Sequence, residues 1–353
     1  MLSRRKSVSG RQYTLRTRPK LEKSATLKRI HVTAGVLMDA GGRVLVSQRP
    51  RGKAMAGFWE FPGGKLEVNE LRFDSLAREL REELNIEVDS ARPLIRYRHQ
   101  YAEFEVDLDV WRVSRWRGQI EPREGQALRW CGVADLQEIG LLPADTQITT
   151  ALRLPDTIAV TPAVAISDAK LLDMLERADL LGGLICLRRP GADTRSLLAL
   201  LAGACCRLEA TGARLLLHGD PVEWMSALDA LPPALFLRLR EVVAGIHAPV
   251  RYLTHSSVRL LQPELFLGAS CHNAEELERA IEFGATYAFL GNVLETPSHP
   301  GQPGMGWQRF EELVRDLPLP VYAIGGLGPE DLETAWARGA QGIAAIRSLW
   351  PKN

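Results

Sequence analysis

Two rhythms of apolar and polar residues divide this chain. Up to about residue 153 the pattern is mixed. Alternating runs at 31–38 and 44–48, joined by a Gly41-Gly42 turn, predict strands, and more strands are expected at 94–98, 104–113 and 127–131. A loop rich in Gly and Pro leads into one helix expected over 73–84, where Phe73, Leu76, Leu80 and Leu84 recur every three or four positions. A short helix at 145–152 closes this half, and Pro155 marks a linker.

From residue 157 onward, strands and helices alternate. Strands are expected at 158–161, 184–187, 214–218, 250–254, 265–269, 287–291, 321–324 and 342–346. A weak repeat supports this reading: helices end at Gly-Ala just before a strand, at Gly212-Ala213, Gly284-Ala285 and Gly339-Ala340. Helix starts are marked by Asn273 with Glu276, a capping box, and by Gly328-Pro329. Eight βα units of this size predict a (β/α)8 TIM barrel behind an α+β domain. The stretch 221–246 fits the pattern poorly.

Composition changes this picture little. With 353 residues, 46% hydrophobic, 25% charged and a formal net charge of +1, the chain is an ordinary globular protein of about two domains. Its charge makes it no general trap for nucleic acid or membranes. The longest apolar run, 197–206, falls well short of the ~18 residues a membrane span needs. Five cysteines without CxxC spacing argue against disulfides or a zinc site and favour a reducing cytoplasm. Residues 1–29 carry ten Lys or Arg and a single acid, Glu22. Such a segment reads as a disordered extension, with a nucleic-acid arm or a targeting peptide as alternatives. The expected division is therefore a basic extension at 1–29, a first domain at 30–153 and a barrel at 157–353.

The densest chemistry lies on the helix expected over 73–84. Glu79, Glu82 and Glu83 share one face, and three carboxylates together repel unless cations fill the gap. Hard oxygen donors suit Mg²⁺, with Mn²⁺ as the alternative, and the Gly63-Gly64 loop lets a backbone carbonyl approach the same ion. Alone, Arg-Glu-x-x-Glu-Glu reads mostly as a solvated helix face.

The full run, Gly64-x5-Glu70-x7-Arg78-Glu79-Leu80-x-Glu82-Glu83-x-Asn85-Ile86, resembles the Nudix box, with Asn85 where that box has Gly. Asn is the next-best residue for a left-handed helix end. The resemblance extends to the MutT-like branch over 30–153, through the run from Trp59 to Gly64, the run from Trp116 to Gln126 followed by Trp130, and Leu142-Pro143-Ala144-Asp145. It implies a pyrophosphohydrolase in which Gly63, Glu79, Glu82, Glu83 and Glu124 hold metal, with Glu124 also a candidate base. It further implies that Arg78 orients the carboxylates, Arg49 reaches a phosphate, Phe61 lines the base pocket and Asp145 reads the base. The MutT-like pattern often has Asn at the last position. An ionised Asp accepts hydrogen bonds and cannot donate them.

The second half resembles the thiamine phosphate synthase and thiazole tautomerase barrels, best over 265–349. The matching residues are Gly268-Ala-Ser270-Cys271-His272, Thr296-Pro-Ser298-His299 and Ala323-Ile-Gly325-Gly326-Leu. The resemblance implies a phosphate cradle from Gly325, Gly326 and Arg347, with Arg188, Ser270, His272, Thr296 and Ser298 as further ligand candidates. The synthase's charged groups are depleted. Only Arg188 remains of Gln-x-Arg-x-Lys, His218-Gly219 replaces Asn-Asp, no second magnesium aspartate is found in 253–258, and His299 replaces a lysine. His272 is the remaining acid–base candidate, with helix capping as its plainer role. His218, His255 and His299 are loop residues at strand ends. The expected activity is Mg²⁺-dependent cleavage of an oxidised purine nucleoside triphosphate such as 8-oxo-dGTP, beside a barrel that binds a phosphorylated thiazole or thiamine ligand without synthase turnover. The alternatives are hydrolysis of a thiamine-related pyrophosphate and a barrel that senses a phosphorylated ligand to regulate the hydrolase.

Overall fold

A computed structural model describes residues 27–162, 166–177, 183–212, 214–253, 264–296 and 301–350. Residues 1–26, His255, Ser298 and His299 lie outside the described residues. The first half contains strands β1 (Lys28–Leu37), β2 (Val44–Gln48), β3 (Trp59–Glu60), β4 (Gly63–Lys65), β5 (Glu87–Gln100), β6 (Phe104–Arg117) and β7 (Ala127–Cys131), with helices α1 (Arg72–Leu84) and α2 (Thr146–Arg153). They form one sheet ordered β4-β1-β6-β5 and a second ordered β3-β2-β7. The two runs around Gly41-Gly42 are therefore not a simple hairpin. The turn forms, but only Met38 and Val44 bridge across it before the strands part into different sheets. Helix α1 buries Leu76, Leu80 and Leu84 completely, which leaves its glutamate face toward the loops. Truncating one such leucine to Ala typically costs about 2–5 kcal/mol. Asn85 ends the helix in the left-handed region, at φ 60° and ψ 34°, as its place in the box requires.

The second half is a closed parallel barrel of β8 (Thr157–Val160), β9 (Leu184–Leu187), β10 (Arg214–His218), β11 (Val243–Ala248), β12 (Phe266–Cys271), β13 (Tyr287–Leu290), β14 (Val321–Ile324) and β15 (Gly342–Ala345). Helices α3 (Asp168–Glu176), α4 (Thr194–Ala210), α5 (Pro221–Asp229), α6 (Pro233–Val242), α7 (Ala274–Phe283), α8 (Gly306–Val314) and α9 (Leu332–Ala337) accompany it. Alternate residues such as Val160, Cys186, Leu216 and Tyr322 fill the interior, while Ile185, Leu215 and Leu217 face the helices. No helix among the described residues is long and apolar enough to cross a membrane.

The fourth barrel strand corrects the sequence reading. It runs over Val243–Ala248, and the segment expected as a strand at 250–254 begins with a short 3-10 turn, Val250–Tyr252. Helix α6 passes into β11 without a turn, and Gly245 with His247 breaks the apolar run that marks a buried strand. Gly245 is required there, because a Cβ would sit 2.1 Å from the Phe266 carbonyl oxygen. The repeated helix ends behave as expected: the N–H groups of Ala285 and Ala340 donate to the carbonyls of Ala280 and Ala335. The Asn273 box is half formed. Asn273 Oδ1 accepts from Glu276 N–H at 2.9 Å, but the Glu276 carboxylate turns to His272.

The two halves share a polar and apolar seam at the N-terminal end of the barrel. Leu154 packs with the barrel interior. Tyr322 O–H donates to Pro155 O at 2.6 Å, and the buried Gln341 amide donates to the carbonyls of Ala151 at 3.0 Å and Leu154 at 3.3 Å. Arg92 pairs with Asp156 at 2.5 Å and lies over the Trp336 ring, while Arg96 and Arg98 reach Asp316. Gln341→Leu leaves two buried carbonyls without that donor and should destabilise the full chain by about 1–3 kcal/mol in urea unfolding. A loss below about 0.5 kcal/mol would mean that the amide does not hold the seam.

Candidate active site

Arg78 organises the glutamate face of α1. Its guanidinium donates to both Glu70 oxygens, at 2.8 and 3.0 Å, to Glu79 at 2.8 Å and to the Lys65 carbonyl at 3.1 Å, with Glu82 farther off at 3.4 Å. The fork geometry suits one carboxylate held by two parallel bonds. Arg78 holds the Glu70 carboxyl down at about 2. Glu70 thereby joins the site as the anchor of the residue that orients Glu79, a role its place in the box did not reveal. Gly63 and Gly64 bring β4 against this face. A Cβ on Gly64 would strike the Glu79 carboxylate at 2.3 Å, and one on Gly63 would meet Thr33 O at 2.1 Å. Gly63 N–H donates to Glu83 at 3.1 Å.

A second wall carries Glu124. Its backbone N–H donates to Gln126 Oε1, and the Gln126 amide donates to the Glu83 carbonyl, both at 2.9 Å, which ties this loop to the end of α1. The Glu124 carboxylate accepts from Lys53 Nζ at 2.5 Å, an interaction that raises the lysine's pKa. Burial pushes Glu83 up to about 7; the Gly63 N–H opposes this, and the charges of Glu124, Glu60 and Glu79 add to it. Among the described residues no group of three or more acidic, His or Cys side chains stands arranged to hold a metal ion. The donor chemistry nevertheless fits a hard divalent cation. The oxygens are crowded and mutually repelling, and Glu83 is left without a cation of its own.

The expected base-reading side lies beyond Glu60. Arg49 is spoken for: it pairs with Glu60, and its Nε donates to Ala54 O at 2.7 Å. Burial raises the Glu60 carboxyl despite that partner. The Phe61 ring is buried in the core, so its backbone N–H is what meets Asp145, at 3.2 Å. Asp145 is buried as well, and burial pushes its carboxyl up to about 8, against the Phe61 hydrogen bond. Burial thus favours its neutral form, which offers one acceptor and one donor, as an Asn does. The sequence could not show this, because the residue name is silent about burial. Lys53 and Glu60 were also missed, although both lie in or beside quoted motifs.

The barrel's C-terminal mouth gathers most of its predicted ligand residues. A cavity of about 400 Å³ is lined by Arg188, Ser270, His272, Thr296, Gly325, Gly326 and Arg347. Arg347 lies 3.5 Å from the Thr296 hydroxyl. His272 faces Glu276 at 2.8 Å, and Ser270 bonds to His247 at 2.9 Å. His247, unremarked in the sequence because its strand was misplaced, is fully buried between Ser270 and Tyr287, and burial drives its pKa well down. Arg188 also lines a second cavity with His218 and Arg251. Burial holds His218 down at about 4, with Arg188 and Arg251 adding to the effect. The synthase's magnesium carboxylates are not matched at their own places: Gly219 follows His218, and the true fourth strand is followed by Pro249-Val250-Arg251-Tyr252. Asp220 and Glu223 line the same cavity, Asp220 with one oxygen accepting from Val222 N–H at 2.9 Å.

An α+β Nudix-type hydrolase domain and a synthase-like (β/α)8 barrel are the classes these two halves define. The chain belongs to the NUDIX domain family over residues 33–151 and to the thiamine monophosphate synthase family over residues 157–349. Its first half is 39% identical over 98 residues to an 8-oxo-dGTP diphosphatase of Proteus vulgaris, covering 28% of this chain and 88% of that one. It is 35% identical over 125 residues to a CTP pyrophosphohydrolase of Escherichia coli, covering 35% and 92%. A thiamine-phosphate synthase of a Roseiflexus species is 30% identical over 194 residues, covering 54% of this chain and 76% of that one. The protein is a Nudix hydrolase joined to a synthase-like barrel.

Asp145 supplies a pH test. The folded carboxyl keeps its proton up to about 8, whereas an unfolded Asp releases it near ~4. The folded state therefore binds more protons in that window, and its stability falls as pH rises from ~4 to ~8. Asp145→Asn should raise Tm most at pH 8, with the gain shrinking toward pH 4. An equal shift at both pH values would show that Asp145 is ionised in the native protein.

Proposed function

We propose that residues 30–153 hydrolyse an oxidised purine nucleoside triphosphate of the 8-oxo-dGTP class to the monophosphate and pyrophosphate, with Mg²⁺ as cofactor. The observation that carries this reading is the burial of the Asp145 carboxyl against the Phe61 N–H at 3.2 Å, which pushes its pKa up and favours the protonated form. It can donate from O–H and accept at C=O, which matches the O6 acceptor and N7–H donor of 8-oxoguanine. Ordinary guanine offers an acceptor at N7, so its lone pair would face the carboxyl's own.

In this mechanism Arg78 holds Glu79 in place through Glu70, while Glu82, Glu83, Glu124 and the Gly63 carbonyl complete the oxygen set. A divalent metal bound there neutralises phosphate charge and acidifies water. Glu124 is suited to take the proton of the attacking water, because it lies on the open side of the cluster. The barrel, proposed to span 157–353, binds a phosphorylated thiazole or thiamine ligand through Gly325, Gly326, Arg347 and Arg188. It does not run the synthase reaction, for want of the magnesium carboxylates at their own places.

Similarity to the CTP pyrophosphohydrolase favours a second reading. The same carboxyl in its protonated form also complements cytosine, whose N4 amino group donates and whose N3 accepts. A panel of 8-oxo-dGTP, dGTP, CTP and thiamine diphosphate separates these readings. The first expects the highest kcat/KM for 8-oxo-dGTP, and a preference for CTP would replace it with the second. Turnover of thiamine diphosphate above all the nucleotides would instead move the enzyme into thiamine metabolism. In either nucleotide case Glu82→Gln should lower kcat to below about a tenth at saturating Mg²⁺. Retention of more than that would remove Glu82 from the metal site.

A further inference from the structure

Lys53, like Glu60, is a part of this site that neither the box nor the expected ligand set explains. It sits on the loop between β2 and β3, whose base is pinned by Arg49. Gly57 N–H donates to Arg49 O at 3.0 Å, Arg49 N–H donates to Phe58 O at 2.9 Å, and the Arg49 side chain holds Ala54 O. Lys53 is held by its backbone, its N–H donating to Pro50 O at 3.3 Å, and only its side chain reaches out, where Nζ meets Glu124 Oε2 at 2.5 Å. Glu124 belongs to the opposite wall, itself tied to the end of α1 through Gln126. Both side chains are close to half exposed, so the pair can open without rearranging the core.

We propose that Lys53 is a latch on the Nudix site: its ammonium occupies Glu124 until a metal-bound polyphosphate arrives, and then passes from the carboxylate to the phosphate. A free divalent cation must break the Lys53–Glu124 pair and tolerate a nearby positive charge. A metal–nucleotide complex brings anionic oxygens that take the ammonium over. The latch therefore disfavours metal alone and favours metal carried in with substrate. Lys53 acts here as a positioning residue for Glu124 in the resting enzyme and as a phosphate contact in the complex.

This inference rests on the metal site proposed above, and the test separates the two. Mn²⁺ binding to the full chain without nucleotide is measured by calorimetry for the wild type, Lys53→Met and Lys53→Arg. An exposed ion pair of this kind is weak, so Lys53→Met should bind Mn²⁺ about two- to fivefold more tightly, with Lys53→Arg close to wild type. In turnover with the best nucleotide of the panel, Lys53→Met should raise KM more than it lowers kcat. Unchanged or weaker Mn²⁺ affinity in Lys53→Met would overturn the latch while leaving the metal site standing. Absence of Mn²⁺ binding in the wild type, and in Glu82→Gln alike, would remove the metal site and the latch with it.

Discussion

Like-charge crowding is the constraint around which the first half is arranged. Glu60, Glu79 and Glu124 are brought near enough to Glu83 that each is felt by its carboxyl, which burial has already raised. No folded chain gathers four acids in this way without opposing charge. Arg78, Arg49 and Lys53 supply it, each on a different carboxylate, Arg78 from α1 and the other two from the loop between β2 and β3. Arg78 is locked by Glu70, and Arg49 by its backbone contacts. The Lys53 side chain is about half exposed. The rigid cations set the shape of the site, and the loose one leaves it able to change.

Much of this was legible in the sequence, for reasons that can be traced to particular residues. A helix repeats every 3.6 residues, so Glu79, Glu82 and Glu83 had to share a face once Leu76, Leu80 and Leu84 were placed in the core. The left-handed end at Asn85 followed from the chemistry of a short amide side chain. What was not legible depends on the approach of distant segments. The raised pKa of Asp145 comes from a burial that only the folded sheets create, and Lys53 meets Glu124 across 71 positions of chain.

The barrel shows the opposite difficulty. Its strands are short and buried on both faces, so periodicity says little and glycine misleads. At β11 the chain needs Gly245 because Phe266 backbone lies against it, and His247 because Ser270 and Tyr287 provide its hydrogen bonds. A polar residue and a strand breaker in sequence thus mark one of the most closely packed places in the fold. The corrected strand is followed by Arg251, which lines one cavity with His218, Asp220 and Glu223.

The seam between the halves has a consequence of a different kind. The last turn of α2 and the residues after it stopper the barrel's N-terminal end, with Leu154 inside, and Gln341 and Tyr322 fastened to Ala151, Leu154 and Pro155. Neither half ends where the other begins. The floor of one is the tail of the other, so heat or a protease that opens one half strips packing from its neighbour. The hydrolase half thus leans on the barrel for part of its own packing, whatever chemistry the barrel performs.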